Sequence, residues 1–583
     1  MRNIGIPKWP VLPSASTIPM WDITLANLAS KLHITPIFKI SVGQDLQNSK
    51  NYILEFDQVR LGSVGRNQLL NQTNQHNAKI VQAYKEYIRG ITQLVATKNM
   101  TKQELERFAD EMIDFEIQLA NRSRPEELRR DFNSRYKKKS LKDLQKAFPQ
   151  LQWKRFLDAM FRSVNIEIKE DEPVVVWEMG YYESTLKFLQ TVNRSKIHNY
   201  FGLKIVHTLG RHLGEKFTDL ALNFQKVAFG VKKKKEEWVE CINDLHGYAE
   251  HLLGRLYVDN FFPEGAKKEV HTMVSALIKA FRQIIESKRW IDAKTRKEAL
   301  KKVDGIDRKI AYPEWLKNDT YLDEKYEYVQ AFGRNTSYVT VVANLRENAA
   351  KKSLEHLRQS YNKTSEWAIG AAIVNAYYNP GTNEIVFPAG ILQPPYYEYG
   401  LPLSLNMGAI GMIIGHEITH AFDDQGSQFD AEGHIHNWWT NKTKQEFRNR
   451  ADCFVEQYEN ITDTTTSMQL NGVHTQGENI ADNGGLLGAF LAYKELKKDK
   501  YRDEHPYLPG LKKASAQMFF IANAMIWCES IRDEELRHSI QYDPHSPTRY
   551  RVTVPMGNMP EFSKAFNCHR GTSMNITQKC KVW

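Results

Sequence analysis

The stretch His416-Glu417-Ile418-Thr419-His420 constrains this chain more than any other. Residues four apart share a face only on a helix, so the two imidazoles can meet one cation if the segment is helical. The preceding residues, Gly408-Ala409-Ile410-Gly411-Met412-Ile413-Ile414-Gly415, are apolar on nearly all sides. The helix is therefore expected to be buried, with its histidines where access of water is controlled. Zinc takes imidazole nitrogens at about 2.0–2.1 Å, and this spacing suits it. Glu417 follows the first imidazole and can reach a metal-held water rather than the metal. The bland alternative is a pair of surface histidines on an amphipathic helix, and the apolar run before them argues against it.

A catalytic zinc keeps three protein ligands and one open position. A third histidine just after the pentapeptide is not available, since Asp423 and Gly426 stand at the places that would carry the glycine and the histidine. A glutamate about twenty residues downstream is absent too, because Trp438, Trp439 and Thr440 occupy that neighbourhood. Farther on, Gly477-Glu478-Asn479-Ile480-Ala481-Asp482 puts two carboxylates four apart on one helical face. One could ligate and the other hold a histidine ring, which is what a zinc site needs around it. On spacing alone, a capped and solvated helix start is an equal reading.

The chain has 583 residues, too many for one core, so at least two lobes are expected. From about Asn77 to Phe281 apolar residues recur at spacings of three and four, as in Ile80, Val81, Tyr84, Tyr87, Ile88 and Ile91. Residues 1–60 mix Pro-rich turns with short apolar stretches. Around Ala299–Tyr312 the Lys/Arg-rich helical pattern gives way to Tyr-Pro-Glu-Trp, and the boundary is placed there: residues 1–305 as a mostly helical domain and 306–583 as the domain bearing the histidines. Ala368–Gly390 reads as two extended runs around Asn379-Pro380-Gly381, a hairpin signal. Helices are expected over Leu405–Phe422, Gly477–Leu496 and Ala514–Ile531.

The formal net charge is +10, yet the only tight basic runs are Lys137–Lys139 and Lys232–Lys235, the second followed at once by Glu236 and Glu237. That reads as solvated helix faces, and no finger, basic zipper or RNA-binding signature is present, so nucleic acid is not an expected partner. The longest apolar run, Met407–Gly415, is far short of the roughly 20 residues a membrane span needs. Ten Asn-x-Ser/Thr acceptors occur, at Asn71, Asn99, Asn121, Asn193, Asn318, Asn335, Asn362, Asn441, Asn460 and Asn575, and they favour an extracellular, glycosylated surface. The five cysteines have no CxxC spacing, and five is an odd number for an oxidising compartment. An extracellular chain without a signal at Met1–Pro10 suggests an N-terminally incomplete one, its anchor and cysteine partners lying in the missing part.

With these residues on the page, the chain resembles the neprilysin and endothelin-converting-enzyme family of zinc endopeptidases. His416–His420 with Ala421-Phe422-Asp423-Asp424, and Gly477–Asp482, carry the likeness. So do Val374–Tyr378 with Ile385–Pro395, Asp543-Pro544-His545-Ser546-Pro547 to Arg551-Val552, and the terminal Cys580-Lys581-Val582-Trp583. The resemblance is dense from about Ala368 onward and looser before.

The resemblance implies a mainly α fold with some β structure: a thermolysin-like zinc lobe, and a helical capping lobe enclosing a cavity. It implies one zinc per chain, held by His416, His420 and Glu478, with Glu417 as general base. Asp482 matches a carboxylate that orients a zinc ligand and is often given the proton-donor role. His545 matches the imidazole that stabilises the oxyanion, and Arg551 an arginine that grips a substrate carbonyl. Asn375 and Ala376 match the edge strand that pairs with the peptide. Ile391, Met412, Ile413 and Trp527 match the apolar pocket for the residue after the cut. Cys453 and Cys580 match a disulfide pair, while Cys241, Cys528 and Cys568 match cysteines whose partners lie in the absent segment. The expected function is hydrolysis of short extracellular peptides on the amino side of hydrophobic residues. The protein would be a type II ectodomain, membrane-bound only through the missing anchor, or a secreted enzyme. One rival reading is a silent peptide-binding ectodomain, which a turnover assay separates; the other is a structural or adhesive surface protein in which zinc only stabilises, which a fourth protein ligand in place of water would support.

Overall fold

The computed structural model describes residues 1–6, 8–11, 18–499 and 510–583. The chain forms two compact units. One comprises Met1–Asp45, Lys50–Asp244 and Thr320–Tyr361, and the other Leu46–Ser49, Leu245–Asp319 and Asn362–Trp583. A single cut between residues 305 and 306 therefore does not describe the partition. Residues 245–305 pack with the histidine-bearing unit because their apolar faces are buried there, and 320–361 return to the first unit. The switch in composition near Tyr312 marks a change of secondary structure, not a change of unit.

The first unit is mostly helical around a four-stranded sheet. Helix α1 (Trp21–Leu32) precedes the antiparallel hairpin β1 (Phe38–Gln44) and β2 (Tyr52–Gln58). These lie in the stretch that the sequence presented only as turns and short apolar runs. Strands β3 (Lys137–Ser140) and β4 (Pro173–Val176) complete the sheet in the order β1-β2-β4-β3. The lysine run Lys137–Lys139 is thus an edge strand, where exposed lysines discourage edge-to-edge pairing. The helices over Asn77–Phe281 are those expected. For example, α2 (Gln75–Val95) buries Ile80, Val81, Tyr84, Tyr87, Ile88 and Ile91. Helix α3 (Lys102–Arg122) begins with a reciprocal Thr101–Glu104 capping box, and α4 is Arg194–Leu209.

The second unit carries α5 (Glu264–Ser287), α6 (Ala293–Asp304) and the small sheet β5 (Asp307–Ala311), β6 (Tyr377–Asn379) and β7 (Glu384–Pro388), in the order β5-β7-β6. The hairpin expected around Asn379-Pro380-Gly381 is present, antiparallel, with Tyr377 opposite Val386. It is shorter than expected, since Ala371–Ala376 are turn and irregular backbone before the edge strand β6. The helix expected over Leu405–Phe422 is two: α7 (Leu403–Gly408) and α8 (Ile410–His420), broken at Ala409, whose backbone (φ −92°, ψ −95°) is not helical. Then follow α9 (Asn441–Glu459), α10 (Gln476–Asp499), α11 (Ser515–Met525) and α12 (Thr548–Asn558). The stretch Ala514–Ile531 is helical only to Met525.

The packing that matters is α8 against α10. A Cβ on Gly415 would lie 2.5 Å from the Gly485 carbonyl oxygen, and a Cβ on Gly485 would lie 2.5 Å from the His416 nitrogen. Only glycine permits this approach. Mid-helix glycine costs about 0.5–1 kcal/mol, so the contact offsets an intrinsic penalty. It brings the first turns of α10 beside the histidines. The disulfide Cys453–Cys580 is formed, as the resemblance implied, and ties α9 to the C-terminal segment.

Candidate active site

His416 and His420 project from α8, and Glu478 and Asp482 from α10. His416 Nε2 lies 2.9 Å from His420 Nε2. Glu478 Oε2 is 3.1 Å from the first of these nitrogens and 3.2 Å from the second. Three ligating atoms about 3 Å apart match three corners of a tetrahedron with bonds of about 2.0–2.2 Å. The fit can be tested on the chain itself. Glu478 Oε2 is a buried oxygen without a well-directed hydrogen bond, although imidazole nitrogens crowd it. A divalent cation is the partner such an atom lacks. Among the described residues this trio is the one cluster of three such side chains that could hold a metal ion.

The rings are fixed from behind. His416 Nδ1 lies 2.8 Å from Asp482 Oδ1 and His420 Nδ1 lies 2.6 Å from Asp423 Oδ2. With Nδ1 so engaged, each ring presents Nε2 to the centre. Asp482 is in turn gripped by Arg551, whose Nε donates to Oδ2 at 2.8 Å and Nη2 to Oδ1 at 2.7 Å. The guanidinium also lies over the Trp527 ring at 4.0 Å. Burial opposes the charge on Asp482, but Arg551 and His416 hold its pKa down at about 2. Glu478 is likewise held well below the usual range, burial being outweighed by His420 and His545. Glu417 differs: burial is its largest influence and pushes its carboxyl up, partly opposed by His416 and His420.

His545 stands just before α12. Its Nδ1 is 2.7 Å from Asp543 Oδ1 and its Nε2 is 3.1 Å from Glu478 Oε2. Burial lowers its basicity, but these carboxylates win and push it up to about 9. A cavity of about 600 Å³ opens beside it, lined by His545, Arg551, Glu529, Leu536 and Tyr542 among others.

The structure thus brings together His416, Glu417, His420, Glu478, Asp482, His545, Arg551 and Trp527. Asn375 and Ala376 lie just before the edge strand β6, Asn375 exposed and its Oδ1 accepting from the Ala376 nitrogen at 2.9 Å. Met412 and Ile413 are buried on α8 one turn before His416, and Ile391 in the turn after β7. None of these three lines the cavity beside His545. Asp423 was not among the sequence candidates. Its signal was a carboxylate three residues after the second histidine, within reach of that ring's far nitrogen.

A buried helix presenting two histidines and a glutamate, with a glutamate from a second helix placed where three ligating atoms could hold one metal ion, is the arrangement of a helical metallohydrolase. Residues 2–313 and 375–582 match the profiles of peptidase family M13, and the chain belongs to that family, the neprilysin and endothelin-converting-enzyme group. It is 37% identical to Neprilysin-1 of Trittame loki, over 97% of this chain and 78% of that protein. It is 36% identical to human Endothelin-converting enzyme 1, over 96% and 71%. Its structure is similar to that of Mycobacterium tuberculosis zinc metalloprotease ZMP1 bound to an inhibitor, with TM-score 0.86, 26% identity and coverage of 98% of this chain and 84% of that one. The protein is a metalloendopeptidase.

Proposed function

We propose that this metallopeptidase uses one zinc ion and hydrolyses short extracellular peptides on the amino side of large hydrophobic residues. The observation that carries the reading is the convergence of His416 Nε2, His420 Nε2 and Glu478 Oε2, with Glu417 buried on the same helix. When bound, zinc supplies Lewis acidity to the scissile carbonyl and to the attacking water. Glu417 takes the water's proton and passes it towards the leaving amine, a role worth roughly 10²–10⁴-fold. Its raised affinity for protons suits a base that must hold one briefly. His545, oriented by Asp543, donates to the developing oxyanion, a contact worth about 10²–10³-fold.

Asp482 acts as an orienting group for His416, not as the proton donor. Both its oxygens already accept hydrogen bonds, and Arg551 holds it ionised. Arg551, Asn375 and Ala376 are assigned to the peptide backbone, with β6 the edge the substrate extends. Ile391, Met412, Ile413 and Trp527 are assigned to the pocket after the cut.

Among the described residues no helix is long and apolar enough to cross a membrane. Nine of the ten acceptor asparagines are exposed and the tenth, Asn575, is half-buried, which supports a secreted or surface-displayed ectodomain. The test is hydrolysis of a quenched peptide with Phe or Leu after the cut, with chelator, zinc add-back and Glu417→Gln in parallel. Chelator-sensitive cleavage before the hydrophobic residue supports the reading. A folded, zinc-loaded chain that binds the peptide without turnover sinks it.

A further inference from the structure

Lys302, near the C-terminal end of α6, is 1% exposed. Its ammonium donates to the carbonyls of Gly426 and Phe429, each at 2.7 Å. It lies 5.5 Å from the Phe422 ring centroid, 5.9 Å from that of Tyr378 and 6.0 Å from that of Trp438. A buried lysine is costly unless something requires it, and nothing in the peptide chemistry above uses this one.

Both carbonyls belong to the turn that follows α8. The Gly426 and Gln425 nitrogens donate to Asp423 Oδ1, at 2.6 Å and 2.8 Å, while the other carboxylate oxygen faces His420 Nδ1. The same turn is pressed onto the end of α8, for a Cβ on Gly426 would lie 1.8 Å from the His420 carbonyl oxygen. The Lys302 carbonyl in turn accepts from Asn383 Nδ2 at 3.0 Å, and Asn383 sits in the left-handed region at φ 50° in the β6–β7 turn. A chain of contacts therefore runs from Lys302, through the Gly426–Phe429 backbone, to Asp423 and on to His420.

We infer that Lys302 is a positioning residue for the metal site, clamping the turn that holds Asp423 against His420. This rests on the reading of His416, His420 and Glu478 as ligands. It assigns a role to a side chain 114 positions upstream of the nearest ligand and in contact with none of them through its ammonium. The Phe429 nitrogen also donates to the Gly426 carbonyl at 3.1 Å, and Trp438 Nε1 to the Phe429 carbonyl at 2.9 Å, so the ammonium is the contact that ties both carbonyls to α6. Removing it takes one buried hydrogen bond from each carbonyl and frees the turn to shift, and the carboxylate with it.

The experiment measures zinc affinity of the full chain by competition with a chromogenic chelator. Lys302→Met keeps the stem and deletes the charge. It is expected to weaken zinc binding about 10–100-fold, the range for loss of groups that orient metal-bound histidines. Asp423→Ala is expected to do the same, and the double variant to bind no more weakly than Asp423→Ala alone. Lys309→Met, which removes another buried lysine of this unit, paired with Glu384 at 3.0 Å, controls for general loosening and is expected to leave affinity unchanged. If Lys302→Met does not accumulate folded, Lys302→Gln, which keeps one donor, is expected to give an intermediate loss. Wild-type affinity in the Lys302 variant, multiplied losses in the double variant, or an equal loss in Lys309→Met each overturns the inference. Absence of zinc binding by the wild-type chain would instead sink the ligand assignment itself.

Discussion

Asp482 Oδ1 lies 2.8 Å from His416 Nδ1, and the same carboxylate is clasped by Arg551. In the proposed mechanism Asp482 orients a ligand, and with a pKa near 2 it is ionised at neutral pH and has no proton to donate. Asp482→Asn keeps the shape but loses the negative charge. It should weaken metal binding about 10–100-fold. At saturating zinc much of the activity should return. A proton donor would behave in the opposite way, with kcat depressed at any zinc concentration and affinity intact.

Glu417 contributes no ligating atom to the trio. Glu417→Gln should therefore retain zinc and fold normally while kcat falls by roughly 10²–10⁴-fold. Glu478→Ala should lose zinc as well as activity. Metal content per chain, measured beside turnover, separates the two variants. Near-normal turnover by Glu417→Gln would rule out the base assignment.

The helices bearing the site were legible because their functional side chains recur at a spacing of four, His416 with His420 and Glu478 with Asp482, and the apolar first half of α8 marks that helix as buried. What spacing could not decide was which α10 carboxylate ligates. That depends on the Gly415–Gly485 contact, a relation between residues 70 positions apart. Asp423 was read past because it stood where a different ligand pattern would have placed glycine. Lys302 was invisible for a more general reason. A lysine in a Lys/Arg-rich helix reads as solvated, and only the fold reveals that this one is enclosed by three aromatic rings. The helix α1 and the β1–β2 hairpin were missed because their apolar residues occur in short runs that fit turns equally well.

Two half-buried groups give the first unit an opposed pH response. His207, whose Nε2 is 2.6 Å from Ser63 Oγ, is lowered by burial to about 4. Between the usual 6.5 and 4 the unfolded chain binds more protons than the folded one, so stability is present above pH 6.5 and lost as pH falls towards 4. Glu55 is raised by burial to about 7. Its contribution is present below the usual 4.5 and lost as pH rises through 7. Each is worth on the order of 3.4 kcal/mol at full extent, at 1.36 kcal/mol per pKa unit, so they largely cancel from pH 5 to 6.5. His207→Gln should leave a unit whose stability falls with rising pH, and Glu55→Gln one whose stability falls with acid. Urea midpoints across pH 4–8 read the slopes, and parallel curves for all three proteins would refute both.

Trp583 is 3% exposed and packs among Phe281, Trp290, Phe422 and Phe447, at ring distances of 6.0, 5.6, 5.6 and 6.1 Å. Phe422 lies two residues beyond His420, so this cluster backs the end of α8. The disulfide from Cys453 to Cys580 delivers the indole to that place. Trp583→Ala removes a large buried ring and should cost about 3–5 kcal/mol. Cys453→Ala with Cys580→Ala should cost about 2–5 kcal/mol. If the disulfide serves mainly to seat Trp583, the triple variant should lose less than the sum of the two, since the indole is already mispositioned once the bridge is gone. Denaturant midpoints for the four proteins, read from the unit that carries the metal site, measure that coupling. Strict additivity would mean that the bridge stabilises the C-terminal segment without seating the indole.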